Sequence, residues 1–206
     1  MKRSVIVIAL MAIFICANAQ NDGIKSINIG FAPVGYIHEN IRLGGEKYRY
    51  DYKSYYNINL GYEKQLGGVV SLTEIKYAAA KFDKYDLKGV SAYFNPLQQE
   101  DIYSVSVTAY AGKTINPNKR IQFPVYIGIG GEYINGGPFH NIIFDLAAKA
   151  RVKFYVSNKI GIFAGGTGRI GWGSKSAGKS SGSKKDYYTI QNSQWSVDAG
   201  LIFSLN

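Results

Sequence analysis

Long segments of alternating apolar and polar residues constrain the fold of this chain more than any other feature. Residues 46–63 carry mainly tyrosine, isoleucine and leucine at even positions, and mainly charged or small polar residues at odd positions. Residues 142–156 repeat the pattern, with aliphatic and aromatic residues against Asp145, Lys149 and Arg151. Because successive side chains of a strand point to opposite faces, a sustained period of two predicts strands. Both segments exceed the five or six residues of an ordinary globular strand.

Six further segments complete an all-β prediction. The abundance of tyrosine (17) and glycine (24) and the lack of a sustained helical period agree with it. The eight predicted strands are 25–36, 46–63, 68–80, 101–114, 121–133, 142–156, 160–172 and 188–205. The connections after even-numbered strands are short. Those after odd-numbered strands are mostly longer and span 38–46, 81–100, 134–141 and 173–186. This alternation is typical of an eight-stranded antiparallel up-and-down transmembrane β-barrel, which has short turns at one end and long loops at the other.

The polar face of the strands is predicted to line the interior of the barrel and the apolar face to meet lipid. The strands are long enough to cross a bilayer, tyrosines cluster near their ends, and glycine and small hydroxyl residues share the polar face. The charged residues expected in the lumen are Arg49, Asp51, Lys53, Glu63, Glu74, Lys76, Glu132, Asp145, Lys149, Arg151, Lys153, Arg169 and Asp198. Buried charges need partners, so we expect ion pairs to fill the lumen rather than a diffusion pore.

The first nineteen residues have the pattern of a secretory signal peptide. Lys2 and Arg3 precede an apolar run, 5–16, and the small residues before Ala19 mark a cleavage site. The run is too short to span a bilayer as a helix. We therefore expect an exported chain with a cleaved segment, 1–19, and one barrel domain, 20–206. Cleavage removes the only cysteine, Cys16, and with it any disulfide or thiol chemistry.

The last predicted strand, SVDAGLIFSLN (196–206), is expected to close the barrel. An unpaired apolar edge invites aggregation, so this strand is expected to pair with the first strand near Ile27, Ile29 and Phe31. Its lipid-facing residues would be Val197, Ala199, Leu201, Phe203 and Leu205, and its lumen-facing residues would include Asp198 and Ser204.

The same segment resembles the C-terminal signal by which the barrel-assembly machinery recognises outer-membrane proteins. With the signal peptide and the meander, it makes 24–206 resemble the small eight-stranded barrels related to OmpX and to the OmpA membrane domain. Asn206 departs from the aromatic residue at which many such proteins end. The resemblance implies a monomer in the outer membrane of a Gram-negative bacterium, in contact with membrane lipid and lipopolysaccharide.

Two glycine-rich motifs invite a nucleotide-binding interpretation that their context does not support. GSKSAGKS (173–180) fits the phosphate-binding loop pattern, but such a loop needs a helix after it, and SGSKKDYYTIQ is poor helix sequence. GGTGRIG lies inside a predicted strand. Its glycines, Gly166, Gly168 and Gly171, are expected to make room for large lumen side chains.

Catalytic candidates are few. The two histidines, His38 and His140, fall in predicted loops at the same end of the barrel. Lipid A palmitoyltransferase and deacylase barrels use a histidine with a serine at the outer leaflet, but no motif here ties either histidine to a particular partner. No catalytic, cofactor-binding or metal-binding residue is therefore predicted. The expected function is a non-enzymatic structural or surface-interaction role through the long loops.

Two alternative functions stay open. One is a barrel enzyme that modifies lipid A, and the other is a soluble periplasmic barrel with an apolar ligand inside. The chain is basic, with a formal net charge of +10, and four lysines lie in the last long connection: Lys175, Lys179, Lys184 and Lys185. If they face outward, they could meet lipopolysaccharide phosphates. Nucleic acid is not an expected partner of an exported chain without a basic–aromatic groove.

Overall fold

The computed structural model describes residues 23–43, 46–88, 101–136, 141–176 and 187–205. The predicted signal peptide and Asn206 lie outside these residues. The eight strands are β1 (Ile24–Leu43), β2 (Glu46–Leu66), β3 (Val69–Lys88), β4 (Ile102–Ile115), β5 (Ile121–Asn135), β6 (Asn141–Tyr155), β7 (Ile160–Ser176) and β8 (Tyr187–Ser204). Each strand pairs antiparallel with its sequence neighbours, and β8 pairs with β1, so the sheet is a closed up-and-down barrel. Among the described residues no helix is long and apolar enough to cross a membrane.

The closure between β8 and β1 includes the predicted residues Ile27, Ile29 and Phe31 of the first strand. Ile27 pairs with Phe203, and Ile29 pairs with Leu201. The backbone N–H of Leu205 donates a hydrogen bond of 2.8 Å to the carbonyl of Lys25. The sheet therefore has no free edge along the closure, as the apolar alternation of the last strand required.

The two ends of the barrel differ. The turn end carries the tight connections 67–68, 116–120 and 156–159. The external end carries the connections between β1 and β2, β3 and β4, β5 and β6, and β7 and β8. The predicted loops there were too long, because β1 continues to Leu43 and β3 continues to Lys88. His38 therefore lies on a strand rather than in a loop.

Most strands keep one alternation throughout, with apolar residues outside and polar residues inside. On β5 the side chains of Phe123, Val125, Ile127 and Ile129 are exposed, and Tyr126 is buried in the lumen. An exposed fraction of 73% for Ile127 is far from what an isoleucine adopts in a water-soluble core. The outer faces of β4, β6, β7 and β8 are likewise apolar, which forms a continuous apolar outer belt.

β1 and β2 reverse their alternation at bulges. The register of β1 against β8 shifts by one residue between Phe31 and Val34, and that of β2 against β3 shifts between Ser54 and Tyr56. In β2 the extra residue is Tyr55, so Tyr55 and Tyr56 both point outward. A single inserted residue turns every later side chain to the other face.

Beyond the bulges, β1 and β2 form an external extension, defined as residues 35–43 and 46–54. Tyr48, Tyr50 and Tyr52 are buried inside it, whereas Arg49 and Lys53 are exposed. The tyrosines pack in an apolar cluster with Ile37, Ile41, Ala80, Ile102, Ile134, Ile143 and Ile190. The external extension is thus apolar inside and polar outside, the opposite of the part below it, as suits a segment surrounded by water.

Candidate functional site

The middle of the lumen is crossed by a network of ion pairs centred on Glu74 of β3. Lys149 Nζ donates to both Glu74 oxygens at 2.6 and 2.5 Å, and Arg151 donates to Glu74 at 2.9 Å. The same Arg151 nitrogen reaches Asp198 of β8 at 2.8 Å, and its guanidinium lies 4.0 Å from the centre of the Phe163 ring. Three strands far apart in sequence are therefore connected across the interior by fully buried charges.

Two further ion pairs occupy the lumen on either side of this centre. Arg169 donates to Asp145 at 2.6 Å and also to the hydroxyl groups of Ser106 and Thr108, at 2.8 and 3.1 Å. Lys153 donates to Glu63, whose other oxygen accepts hydrogen bonds from Tyr126 and Asn28 at 2.9 and 3.2 Å. Because most of these partners lie on different strands, the network cross-links the barrel.

Most of the predicted lumen charges are confirmed. Glu63, Glu74, Glu132, Asp145, Lys149, Arg151, Lys153, Arg169 and Asp198 are all buried inside the barrel. Lys76, on the same face, is partly exposed. The prediction is wrong for Arg49, Asp51 and Lys53, because the bulge at Tyr55 turns these three to the outer face. Sequence analysis did not predict the burial of Glu39, because the bulge in β1 that turns this side chain inward was not predicted either.

Side chains and one turn also occupy the two ends of the lumen, and a cavity of about 360 Å³ remains at the turn end. At the turn end, the carbonyl of Pro117 accepts hydrogen bonds from Gln65 at 3.0 Å and from Gln122 at 2.7 Å, so the β4–β5 turn folds over the barrel mouth. Towards the external end, the apolar cluster of the external extension takes over.

A polar group of a different kind lies on the outer face of the external extension. His38 Nδ1 lies 2.7 Å from Asp51 Oδ1, which also accepts a hydrogen bond of 2.9 Å from Arg49 Nε. Since a carboxylate can only accept, the Nδ1 atom carries the hydrogen, and in the neutral imidazole Nε2 is then an acceptor. On the other side of His38, Ser193 of β8 is its direct cross-strand neighbour. Ser193, His38 and Asp51 therefore form one row across three strands.

The surroundings fix the histidine and charge the carboxylate. The Tyr36 ring stacks on Trp195 at 5.0 Å and on His38 at 6.4 Å, which builds an aromatic column below the row. Partial burial raises the pKa of Asp51, but hydrogen bonds from Arg49 and His38 outweigh it and hold that pKa below its ordinary value. Sequence analysis missed this row because both bulges and two register pairings are needed to assemble it.

A cavity of about 560 Å³ opens on the outer face beside this row. Its lining combines cationic, amide, hydroxyl, aromatic and aliphatic side chains from β1, β2, β7 and β8: Asn40, Ile41, Arg42, Lys47, Tyr48, Arg49, Trp172, Thr189, Ile190 and Gln191. Ile41, Tyr48 and Ile190 are also members of the apolar cluster.

The remaining predicted site residues are placed as follows. His140, Lys179, Lys184 and Lys185 lie outside the described residues. The phosphate-loop match begins in β7 itself, and its last four residues, 177–180, are not described. Among the described residues no group of three histidine, cysteine, aspartate or glutamate side chains could hold a metal ion.

The glycines of GGTGRIG lie on different faces of β7, some towards the lumen and some towards the outside. Gly171 faces the lumen, and a Cβ there would lie 2.4 Å from Ile143, which confirms the prediction that it makes room for a lumen side chain. The prediction is wrong for Gly166 and Gly168, which are exposed on the outer face. A Cβ at Gly168 would meet nothing within 4 Å.

The closed meander, the apolar outer belt and the charged lumen crossed by ion pairs together define the architecture of a bacterial outer-membrane β-barrel. Solved structures of such barrels share this fold. The outer membrane protease OmpT from Escherichia coli aligns with a TM-score of 0.50 at 9% identity, covering 91% of this chain and all of that chain. The outer membrane protein OprG from Pseudomonas aeruginosa aligns with a TM-score of 0.50 at 13% identity, covering 88% and 96%. No protein-family model and no curated protein matches the sequence.

Proposed function

We propose that this chain is an integral outer-membrane barrel of a Gram-negative bacterium, without enzymatic activity, that acts in envelope structure or surface interaction through its external end. The observation that carries the proposal is that both the outer face and the interior of β1 and β2 change polarity at the bulges. Below the bulges the outer face is apolar and the lumen charged, and above them β1 and β2 are polar outside and apolar inside. Such a reversal suits a barrel that is half in lipid and half in water.

The turn end then faces the periplasm and the external end faces the medium. Outer-leaflet lipid and lipopolysaccharide are the expected partners, and β8 is the strand offered to the barrel-assembly machinery. We expect a monomer, because the closed sheet leaves no strand edge to pair with a second copy. Because ion pairs, the β4–β5 turn and the apolar cluster cross the lumen, we expect that the barrel does not conduct ions in a planar bilayer.

Cell fractionation with gel electrophoresis tests this proposal. We expect the protein in the outer-membrane fraction, with a faster mobility before boiling than after, because a compact barrel resists detergent until heated. Recovery of the protein in the soluble periplasm would contradict the proposal. Stepwise ion currents after insertion into a planar bilayer would contradict the closed lumen.

One observation favours a second candidate function, a lipid-modifying hydrolase. In the row of Ser193, His38 and Asp51, His38 Nε2 would accept the proton of Ser193 Oγ as that oxygen attacks an acyl ester, and Asp51 holds the imidazole through Nδ1. The leaving alcohol would take the proton, and water would release the fatty acid.

Mass spectrometry of lipid A separates the two candidates. The hydrolase candidate requires a change in acylation that deleting the gene or introducing Ser193→Ala abolishes, while Ser174→Ala on the adjacent strand leaves it intact. Identical lipid A from the wild type and the deletion strain removes the second candidate.

A further inference from the structure

The outer-face cavity at the external end places cations of neighbouring strands side by side. Register pairs align Arg42 of β1 directly opposite Lys47 of β2, and Asn40 opposite Arg49. Like charges directly opposite each other destabilise a sheet. Asp51 accepts a hydrogen bond from Arg49, but none of the described residues that line the cavity is acidic. An anion between Arg42 and Lys47 would relieve their repulsion.

The other lining groups complement a sugar rather than a bare ion. Asn40, Gln191 and Thr189 offer amide and hydroxyl groups, and Trp172 brings an indole ring to the lower side of the cavity. Arginine binds phosphate through two parallel hydrogen bonds and lysine binds it as a point charge. The volume of about 560 Å³ is within the range of small-molecule sites.

The position of the cavity indicates where such a ligand comes from. Trp172 lies opposite Gln191, which lies opposite Asn40, so one row leads from an exposed indole to the cationic strands. Tryptophan marks the level of lipid headgroups on membrane proteins. Below Trp172 on β7, Ile170 and Ile162 continue the apolar outer belt, where acyl chains can lie. The cationic side chains therefore lie above the Trp172 indole, and the apolar surface that can contact acyl chains lies below it.

We propose that this cavity binds the phosphorylated sugar headgroup of an outer-leaflet glycolipid. Arg42 and Lys47 hold a phosphate between them, the amide and hydroxyl side chains bind sugar hydroxyls, and the acyl chains run down past Trp172. This inference rests on the proposed function, since it requires the external end to emerge from the outer leaflet.

The experiment compares two double variants that remove the same charges. Arg42→Gln/Lys47→Gln alters the cavity, and Lys113→Gln/Arg120→Gln removes one lysine and one arginine, both exposed, at the turn end. Each protein is placed in phosphatidylcholine nanodiscs and titrated with bisphosphorylated lipid A, monophosphorylated lipid A or inorganic phosphate. The fluorescence of Trp172 in a Trp195→Phe background reports binding, and native mass spectrometry counts bound lipid.

We expect the cavity variant to bind bisphosphorylated lipid A at least tenfold more weakly than the wild type, because each charge-assisted hydrogen bond contributes more than a tenfold factor. The turn-end variant should keep the wild-type affinity, and the loss of affinity in the cavity variant should also be seen with monophosphorylated lipid A, because the site holds one phosphate. Equal affinities of the two variants would overturn the inference. It would also be overturned if inorganic phosphate bound as tightly as the lipid.

Failure of this inference is distinct from failure of the proposed function. Both double variants should show the same heat-dependent mobility as the wild type, which establishes that the barrel forms. A correctly inserted wild-type protein whose lipid affinity does not depend on Arg42 and Lys47 refutes only the glycolipid site. A wild-type protein absent from the outer membrane refutes the proposed function as well.

Discussion

Removing one lumen carboxylate should cost far more stability than removing the same carboxylate from the surface. Asp145 is the carboxylate that accepts from Arg169, at 2.6 Å through one oxygen and 3.3 Å through the other. Both side chains are only 3% exposed. Asp83 pairs with Lys53 at a similar distance, 2.8 Å, but those side chains are 24% and 54% exposed. The substitutions Asp145→Asn and Asp83→Asn are therefore chemically identical and differ in burial.

The expected magnitudes follow from that difference. Leaving a buried charge without its partner costs about 3–5 kcal/mol, whereas an exposed pair contributes about 0–1 kcal/mol. At about 1.4 kcal/mol for each factor of ten, Asp145→Asn raises the unfolding equilibrium constant by roughly a hundred- to several thousand-fold. Asp83→Asn should raise it by less than about tenfold.

Urea titration of the barrel in phospholipid vesicles measures both variants, with tryptophan fluorescence and heat-dependent mobility as readouts. A double variant, Asp145→Leu/Arg169→Met, provides the second arm. Replacing a whole buried ion pair by apolar residues is often neutral, so this variant should recover more than half of the loss. The reasoning is refuted if Asp145→Asn costs no more than Asp83→Asn, or if the double variant is as unstable as the single one.

Three further predictions concern backbone space, the bulge and protonation. Gly165→Ala should prevent stable folding, because its Cβ would lie 2.3 Å from a backbone oxygen of β6. Gly168→Ala should stabilise the barrel by up to about 1 kcal/mol, because its Cβ would meet nothing within 4 Å. Equal urea midpoints for the two variants would contradict this prediction. Deleting Tyr55 should turn the tyrosines of the external extension outward and make it sensitive to trypsin, and unchanged resistance would show that the bulge does not set the alternation. Hydrogen bonds from Arg49 and His38 hold the folded pKa of Asp51 below its ordinary value of 3.8, so these contacts contribute stability that is present above that value and is lost as the pH falls through the folded pKa. A carboxyl NMR midpoint at or above 3.8 would disprove it.

The strand order and the closure of the barrel were predictable because they depend on local alternation. Asp145 and Lys149 share a parity with Arg151 and Lys153, opposite an aliphatic and aromatic face. The strand lengths and the tyrosines near the strand ends then indicated that the apolar face meets lipid and the charged face lines the lumen. The pairing of the last strand with the first also follows, since a closed meander leaves these two strands as neighbours. These features need no knowledge of side-chain contacts.

The external extension was not predictable by the same reasoning, because a bulge adds one residue without breaking the appearance of alternation. Tyr48 and Tyr62 have the same parity, yet they face opposite sides of the sheet. Two signals were available in the sequence: Pro33 inside a strand, which favours a bulge, and the adjacent tyrosines Tyr55 and Tyr56. The row of Ser193, His38 and Asp51 depends on both bulges and so could not be assembled from spacing.

Site-directed spin labelling tests the central claim, that the barrel is surrounded by lipid below the bulges and by water above them. With Cys16 replaced, single labels are placed at Ile58 and Arg49 of β2, which face outward on either side of the bulge, and at Asn59, which faces the lumen. In vesicles, the label at Ile58 should collide readily with oxygen and poorly with a water-soluble nickel complex, and the label at Arg49 should show the reverse. The label at Asn59 should be shielded from both reagents. A label at Ile58 that is as accessible to the nickel complex as the label at Arg49 would contradict the account.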